Sequence, residues 1–108
     1  MNDIDVSCIT NFSYLFSIST LKDFDGNISE WNVRNAKNMT GMFQSSKFNG
    51  DISNWNVSCV TKMSYMFCDS RFKGDLSRWS VGNVWHCHDI FKNCPMQYEE
   101  ELQPDFRH

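Results

Sequence analysis

The apolar positions of this chain return in a fixed order. FDGNISEWNVRNAKNMTGMF (24–43), FNGDISNWNVSCVTKMSYMF (48–67) and FKGDLSRWSVGNVWHCHDIF (72–91) are near copies of one another. Trp31, Trp55 and Trp79 stand 24 residues apart, as do the sets headed by Phe24, Gly26, Val33 and Phe43. A constant period in the twenties is the mark of repeat units that stack. Within each unit the pattern changes midway. In GDISNWNV, the apolar Ile52, Trp55 and Val57 alternate imperfectly with small polar residues, which predicts a short extended segment entered through Gly50. In VTKMSYMF, Val60, Met63 and Met66 are three apart with Phe67 beside the last. That spacing predicts one face of a helix of about two turns, capped by Ser58 or Thr61. The expected fold is an α+β repeat solenoid, a leucine-rich-repeat-like coil whose units of about 24 residues each hold a short strand and a short helix.

The N-terminal residues join the series with an offset. IDVSCITNFSYLF (4–16) matches WNVSCVTKMSYMF (55–67) at seven of thirteen positions, placing Ile4 in the Trp column and Phe16 in the column of Phe43 and Phe67. Three additional residues fall in the connection before Phe24, and Met96 takes the column of Phe24, Phe48 and Phe72. The expected organisation is a single domain over 1–108. It comprises a partial repeat at 4–23, full repeats at 24–47, 48–71 and 72–95, and an acidic cap at 96–108. In the cap, Tyr98, Leu102 and Phe106 recur every four residues, the spacing of a short helix that ends before Pro104.

One such unit cannot bury its own apolar side, so neighbours must stack and equal columns must meet. Columns that change, such as Asp25, Asn49 and Lys73, are expected to face solvent. Gly26, Gly50 and Gly74 are expected to serve identical turns through positive φ. They are single glycines, not a phosphate-cradling loop.

Composition narrows the function. With 41% apolar and 15% aromatic residues the chain has the makings of a core, and a net charge of −3 lacks the clustered Lys and Arg of a phosphate-binding surface. Direct nucleic-acid binding is not expected, because the aromatic residues that could stack on bases occupy core columns. MNDIDVSCIT has neither a basic nor an apolar leader region, and no run approaches membrane-spanning length. The five cysteines are therefore expected to be reduced thiols in a cytoplasmic protein. Four Asn-x-Ser/Thr triplets begin at Asn11, Asn27, Asn38 and Asn56, as an Asn- and Ser-rich repeat generates by composition.

WHCHDIFKNC (85–94) is the one stretch with candidate chemistry. His86, Cys87, His88, Asp89 and Cys94 are all metal-ligand types, and Cys87 or Cys94 with His88 would make a thiol–imidazole pair. The repeat argues otherwise. Cys87 occupies the column of Met39 and Met63, so its thiol points into the core, while His86 and His88 flank it on the solvent side. No catalytic, cofactor-binding or metal residue is expected. Cys8 and Cys59 share a column two units apart with Asn35 between them, too far for a disulfide. Trp85 replaces Lys37 and Thr61 in a polar column; cover by the C-terminal tail is the expectation, and an exposed anchor for a partner is the sharper alternative.

Phe-x-Gly-Asp-Ile-Ser, Trp-Asn-Val and Met-Phe, recurring in order over about residues 4–96, resemble the BspA-like leucine-rich-repeat proteins, in the variety found in tandem in bacterial surface proteins and lipoproteins. That resemblance implies a right-handed solenoid with a binding or adhesive role and no catalytic residues. The chain departs from the pattern in its short array and in having one residue fewer between Met-Phe and the next Phe, and a secretion or lipid-attachment segment is not expected.

The expected function is a non-enzymatic protein-binding module. It would act as a small intracellular inhibitor that docks on and blocks a larger protein or nucleoprotein partner, as phage-encoded anti-defence and anti-CRISPR proteins do. Trp85, His88, Glu99, Glu100, Glu101 and Asp105 are the candidate partner-binding residues, with the chain a monomer or weak dimer. A bacterial surface adhesin is the alternative, and a small metal- or thiol-dependent enzyme using residues 86–94 a second one.

Overall fold

The short polar residues between the apolar columns decide the course of the backbone. In a computed structural model that describes residues 5–17, 24 and 26–106, Asn or Asp side chains repeatedly accept a hydrogen bond from the amide two residues on. Asn27 does so from Ser29, Asp51 from Ser53 and Asp75 from Ser77, all at 2.9–3.0 Å. Such local bonds compete with both helix and ladder. Each runs into a four-residue turn: Trp31 N–H donates to Ile28 O, Trp55 N–H to Ile52 O and Trp79 N–H to Leu76 O. A second turn closes Ala36 onto Val33, Val60 onto Val57 and Val84 onto Val81. The four Asn-x-Ser/Thr triplets have the same explanation, since Asn11, Asn27, Asn38 and Asn56 each accept from the Ser or Thr amide.

The α+β solenoid is overturned. Among the described residues there is no α-helix and no sheet; the regular elements are two 3₁₀ helices, Pro95–Tyr98 and Glu100–Leu102, and isolated bridges. The segment expected to be helical is a ribbon of overlapping turns. Met66 N–H donates back to Met63 O, Cys68 to Tyr65 and Ser70 to Phe67, while the alternate amides of Met63, Tyr65, Phe67 and Asp69 donate outward to His86, His88, Ile90 and Lys92 carbonyls. With every second donor spent on a neighbour, an i→i−4 ladder cannot form. Tyr65 and Asp69 also sit at φ of 61° and 59°, outside right-handed helix. Spacing of three is common to a helix face and to successive turns, so the pattern alone pointed the wrong way. Ser58 and Thr61 cap nothing; Ser58 Oγ donates to Asn56 Oδ1 and Thr61 Oγ1 to Lys37 O.

The ribbons lie side by side in parallel register. Bridges join Asn11 to Asn38, Asn38 to Lys62 and Lys62 to His86. The core fills the space beneath. Phe16, Phe43, Phe67 and Phe91 form one file with ring centroids 5.2, 5.5 and 5.8 Å apart, and Phe24, Phe48 and Phe72 a second at 6.3 and 6.5 Å. The files interleave, Phe43 meeting Phe48 at 4.7 Å and Phe67 meeting Phe72 at 4.5 Å. Trp55 and Trp79 lie against them and donate through Nε1 to Ile28 O and Ile52 O of the preceding copy, both at 3.0 Å. Asn49 and Lys73 are exposed. Ile4, Asp25 and the connection at 18–23 lie outside the described residues.

The expected positive φ at Gly26, Gly50 and Gly74 is also corrected: Gly41, at 60°, is the positive-φ glycine among the described residues. The other three are needed for close approach. A Cβ at Gly50 would lie 2.8 Å from the Phe48 ring, and one at Gly74 2.9 Å from that of Phe72. Those rings are packed on all sides and have nowhere to retreat.

Candidate functional site

The last ribbon carries the departures from the repeat. In the column of Thr10, Lys37 and Thr61 stands Trp85. Its backbone is held as those of Lys37 and Thr61 are, with Trp85 N–H and His86 N–H both donating to Thr61 O at 2.8 and 3.2 Å. Its side chain is 82% exposed. The expectation that the tail covers Trp85 is therefore wrong. The tail covers the other half of the copy, where Leu76 N–H donates to Leu102 O at 2.8 Å and Leu102 and Phe106 pack on the core.

Of the residues around Trp85, His86 and His88 are exposed. His88 Nε2 lies 3.3 Å from Asp89 Oδ2 and its ring meets Tyr65 edge-on at 5.6 Å, while its amide donates to Ser64 Oγ. Cys87 is half-buried against the core. Cys94 replaces Ser46 and Ser70, whose hydroxyls accept from the Phe48 and Phe72 amides; its thiol donates to Phe72 O at 3.1 Å and accepts from Ser70 Oγ. Burial pushes the Cys94 thiol above its ordinary pKa, and burial with the neighbouring Asp69 carboxylate pushes Cys68 the same way. Both shifts oppose the thiolate a nucleophile needs. No group of three or more His, Cys, Asp or Glu side chains among the described residues is placed to hold a metal ion.

The acidic candidates sit apart on the tail. Glu100 and Glu101 are exposed on the second 3₁₀ helix, Asp105 is exposed beyond it, and Glu99 Oε1 lies 3.7 Å from Lys73 Nζ. Glu100 and Asp105, with Gln103, Pro104 and Phe106, line an open depression of about 580 Å³. No hydrogen bond, ion pair or ring contact among the described residues joins Trp85 or His88 to Glu99, Glu100 or Glu101. Tyr98, read as part of an apolar face with Leu102 and Phe106, is instead 84% exposed. A 3₁₀ turn advances three residues per turn, so the four-residue spacing no longer aligns the three side chains.

These features define a protein of stacked repeats whose irregular groups gather at its C-terminal end. The chain belongs to the family described as Mycoplasma protein of unknown function, DUF285, whose model matches residues 1–103. No curated protein and no solved structure matches it. No described helix is long and apolar enough to cross a membrane.

Proposed function

We propose that this chain is a non-enzymatic protein-binding module, with Trp85 as its anchor. The observation that carries this reading is an indole 82% exposed on a backbone fixed by two hydrogen bonds to the neighbouring ribbon. A large aromatic held rigidly in water loses little freedom when a partner covers it, which is why Trp dominates interface hot spots. Tyr98 adds a second exposed ring, and His88, Glu99, Glu100, Glu101 and Asp105 supply a polar rim. Raised thiol pKa values at Cys68 and Cys94 support the non-enzymatic part. A small rigid body docking in this way acts by occlusion, so inhibition of a larger partner is the proposed effect. Kinship with BspA-like repeats is proposed on Phe-x-Gly-Asp-Ile-Ser, Trp-Asn-Val and Met-Phe in order.

The test replaces the anchor. Trp85→Ala is expected to leave the unfolding midpoint where it was, because a side chain this exposed contributes within about 0.5 kcal/mol of nothing. The same change is expected to weaken retention of a partner isolated on the wild-type protein at least about tenfold. Equal retention by both proteins overturns the reading.

A further inference from the structure

The ribbons are joined by an unusual rule. At each joint one ribbon gives a row of donors and the next gives a row of acceptors. Phe12, Tyr14 and Phe16 amides donate to Asn38, Thr40 and Met42 carbonyls; Met39, Gly41, Phe43 and Ser45 donate to Lys62, Ser64, Met66 and Cys68; Met63, Tyr65, Phe67 and Asp69 donate to His86, His88, Ile90 and Lys92. One carbonyl at each joint returns the favour, Thr10 O accepting from Lys37 and Asn38, Lys37 O from Thr61 and Lys62, Thr61 O from Trp85 and His86.

The two outermost ribbons are left with the halves of such a joint. On the last ribbon, among the described residues, no acceptor meets the amides of Cys87, Asp89 and Phe91, and no donor reaches Trp85 O, the counterpart of Thr61 O. The next amide of that row, Asn93, is closed by Gln97 Oε1 at 3.2 Å. On the first ribbon, among the described residues, the carbonyls of Asn11, Ser13 and Leu15 accept nothing and the amides of Thr10 and Asn11 donate to nothing. The side-chain layer is open at the same place: Cys87 is half-buried where Met39 and Met63 are fully covered.

A row of donors at every second residue, with carbonyls turned elsewhere, does not match an ordinary strand edge, which alternates donors and acceptors. It matches an edge of carbonyls at every second residue with paired donors at one end. The first ribbon of this same chain is such an edge. We infer that the open edge at residues 85–91 receives residues 10–15 of a second copy of the chain, in parallel register, continuing the ladder from one molecule into the next. Cys87, Asp89 and Phe91 amides donate to Asn11, Ser13 and Leu15 carbonyls, while Thr10 and Asn11 amides donate to Trp85 O. The contact is head-to-tail, so it uses different faces of the two molecules and leaves one of each free. It does not depend on the role given to the Trp85 side chain, since it is made by backbone groups.

Register makes the inference testable. Ser13 and His88 stand at opposite ends of the column that runs through Thr40 and Ser64, and the neighbouring pair Ser64–His88 is in direct contact at 3.1 Å. Within one molecule the ends are three ribbons apart, about 14 Å, beyond disulfide reach. Across the inferred joint they are neighbours. Ser13→Cys and His88→Cys are made separately in a chain whose exposed Cys8 and Cys59 are replaced by Ser, mixed at high concentration and oxidised. The expected product is the mixed disulfide dimer, with little dimer from either variant alone. Dimers formed equally well by one variant alone indicate a two-fold contact and overturn the inference, as does the absence of any dimer. On the unaltered chain, amide exchange supplies an independent reading. The amides of Thr10, Asn11, Cys87, Asp89 and Phe91 are expected to slow with protein concentration while that of Ser29, bonded within its own copy, does not. No concentration dependence at those five overturns it.

Discussion

The two halves of each repeat hold their neighbours by opposite means. In the ribbon half, copies are joined backbone to backbone by a row of amides reaching carbonyls at 2.6–2.9 Å between Met63–Asp69 and the ribbon after it. In the half opened by Phe-x-Gly, the link is made by side chains: an indole N–H on the preceding copy's carbonyl and files of stacked phenyl rings. The sequences follow that division. FDGNISEWNV, FNGDISNWNV and FKGDLSRWSV keep Phe, Gly, Ser, Trp and Val in place, whereas NMTGMFQSS, KMSYMFCDS and HCHDIFKNC share little beyond their Phe. A joint made by the backbone tolerates almost any outward side chain. A joint made by rings and an indole does not.

The sharpest way to break this comparison is at the residue both halves share. Phe67 is fully buried and stacks on Phe43, Phe72 and Phe91 while touching Trp79. Phe67→Ala is expected to cost about 3–5 kcal/mol, measured by denaturant unfolding. By contrast Tyr65→Ala, two residues away and outward on the ribbon, should cost far less, because its backbone bond to His88 O is untouched. Equal losses would remove the distinction between the halves. Next in size is Gly50→Ala, which drives a Cβ to 2.8 Å from a packed Phe48 ring and is expected to cost about 1–3 kcal/mol. Gly82→Ala is its control. Nothing lies within 4 Å of a Cβ there and φ is not positive, so the change should be neutral or stabilise by up to about 1 kcal/mol.

The same division separates what could be read from the sequence and what could not. The Phe, Trp and Val columns were legible because the side-chain half repeats its residue types, and burial agrees with them from Ile28 to Val81. The ribbon's conformation was not. Tyr14, Ser45, Tyr65, Asp69, Asp89 and Asn93 all adopt positive φ with no glycine to announce it. Spacing of three fits turns as well as a helix, and what decides between them is the amide donated to the next copy, a tertiary bond. At the candidate site, Trp85 stood out because it broke a polar column, yet its exposure depended on the path of the tail. Tyr98 gave no signal, since its position follows from two 3₁₀ helices where an α-helical spacing was read.

A smaller change sharpens the comparison by adding a bond. Asn35 Nδ2 donates to Ser7 O at 2.7 Å and Asn83 Nδ2 to Ser58 O at 2.8 Å, each tying its copy to the one before. Between them in the same column stands Cys59, exposed and unable to make that bond to Arg34 O. Cys59→Asn is expected to stabilise the fold by about 0.5–1 kcal/mol, read as a raised denaturation midpoint. No gain would mean that a side-chain clamp adds nothing where the backbone ladder already runs.

The smallest expected effect concerns acid. Asp51 and Asp75 each accept from the Ser amide and hydroxyl two residues on, and these bonds hold both carboxyls below their ordinary 3.8. A carboxylate whose pKa is depressed by folding stabilises the fold above its unfolded pKa, and that contribution disappears as pH falls through the lower, folded value. Asn27 fills the same column and makes the same amide bond at 3.0 Å without a titrating proton. The double variant Asp51→Asn, Asp75→Asn is therefore expected to match the wild-type midpoint near neutrality. Below about pH 4 it should lose less stability than the wild type as acid is added. Both groups are solvent-exposed, so the divergence should be slight and confined to that limb. If the two acid limbs coincide, the turns of the side-chain half owe nothing to charge, and Asp and Asn serve there only as acceptors of the Ser amide.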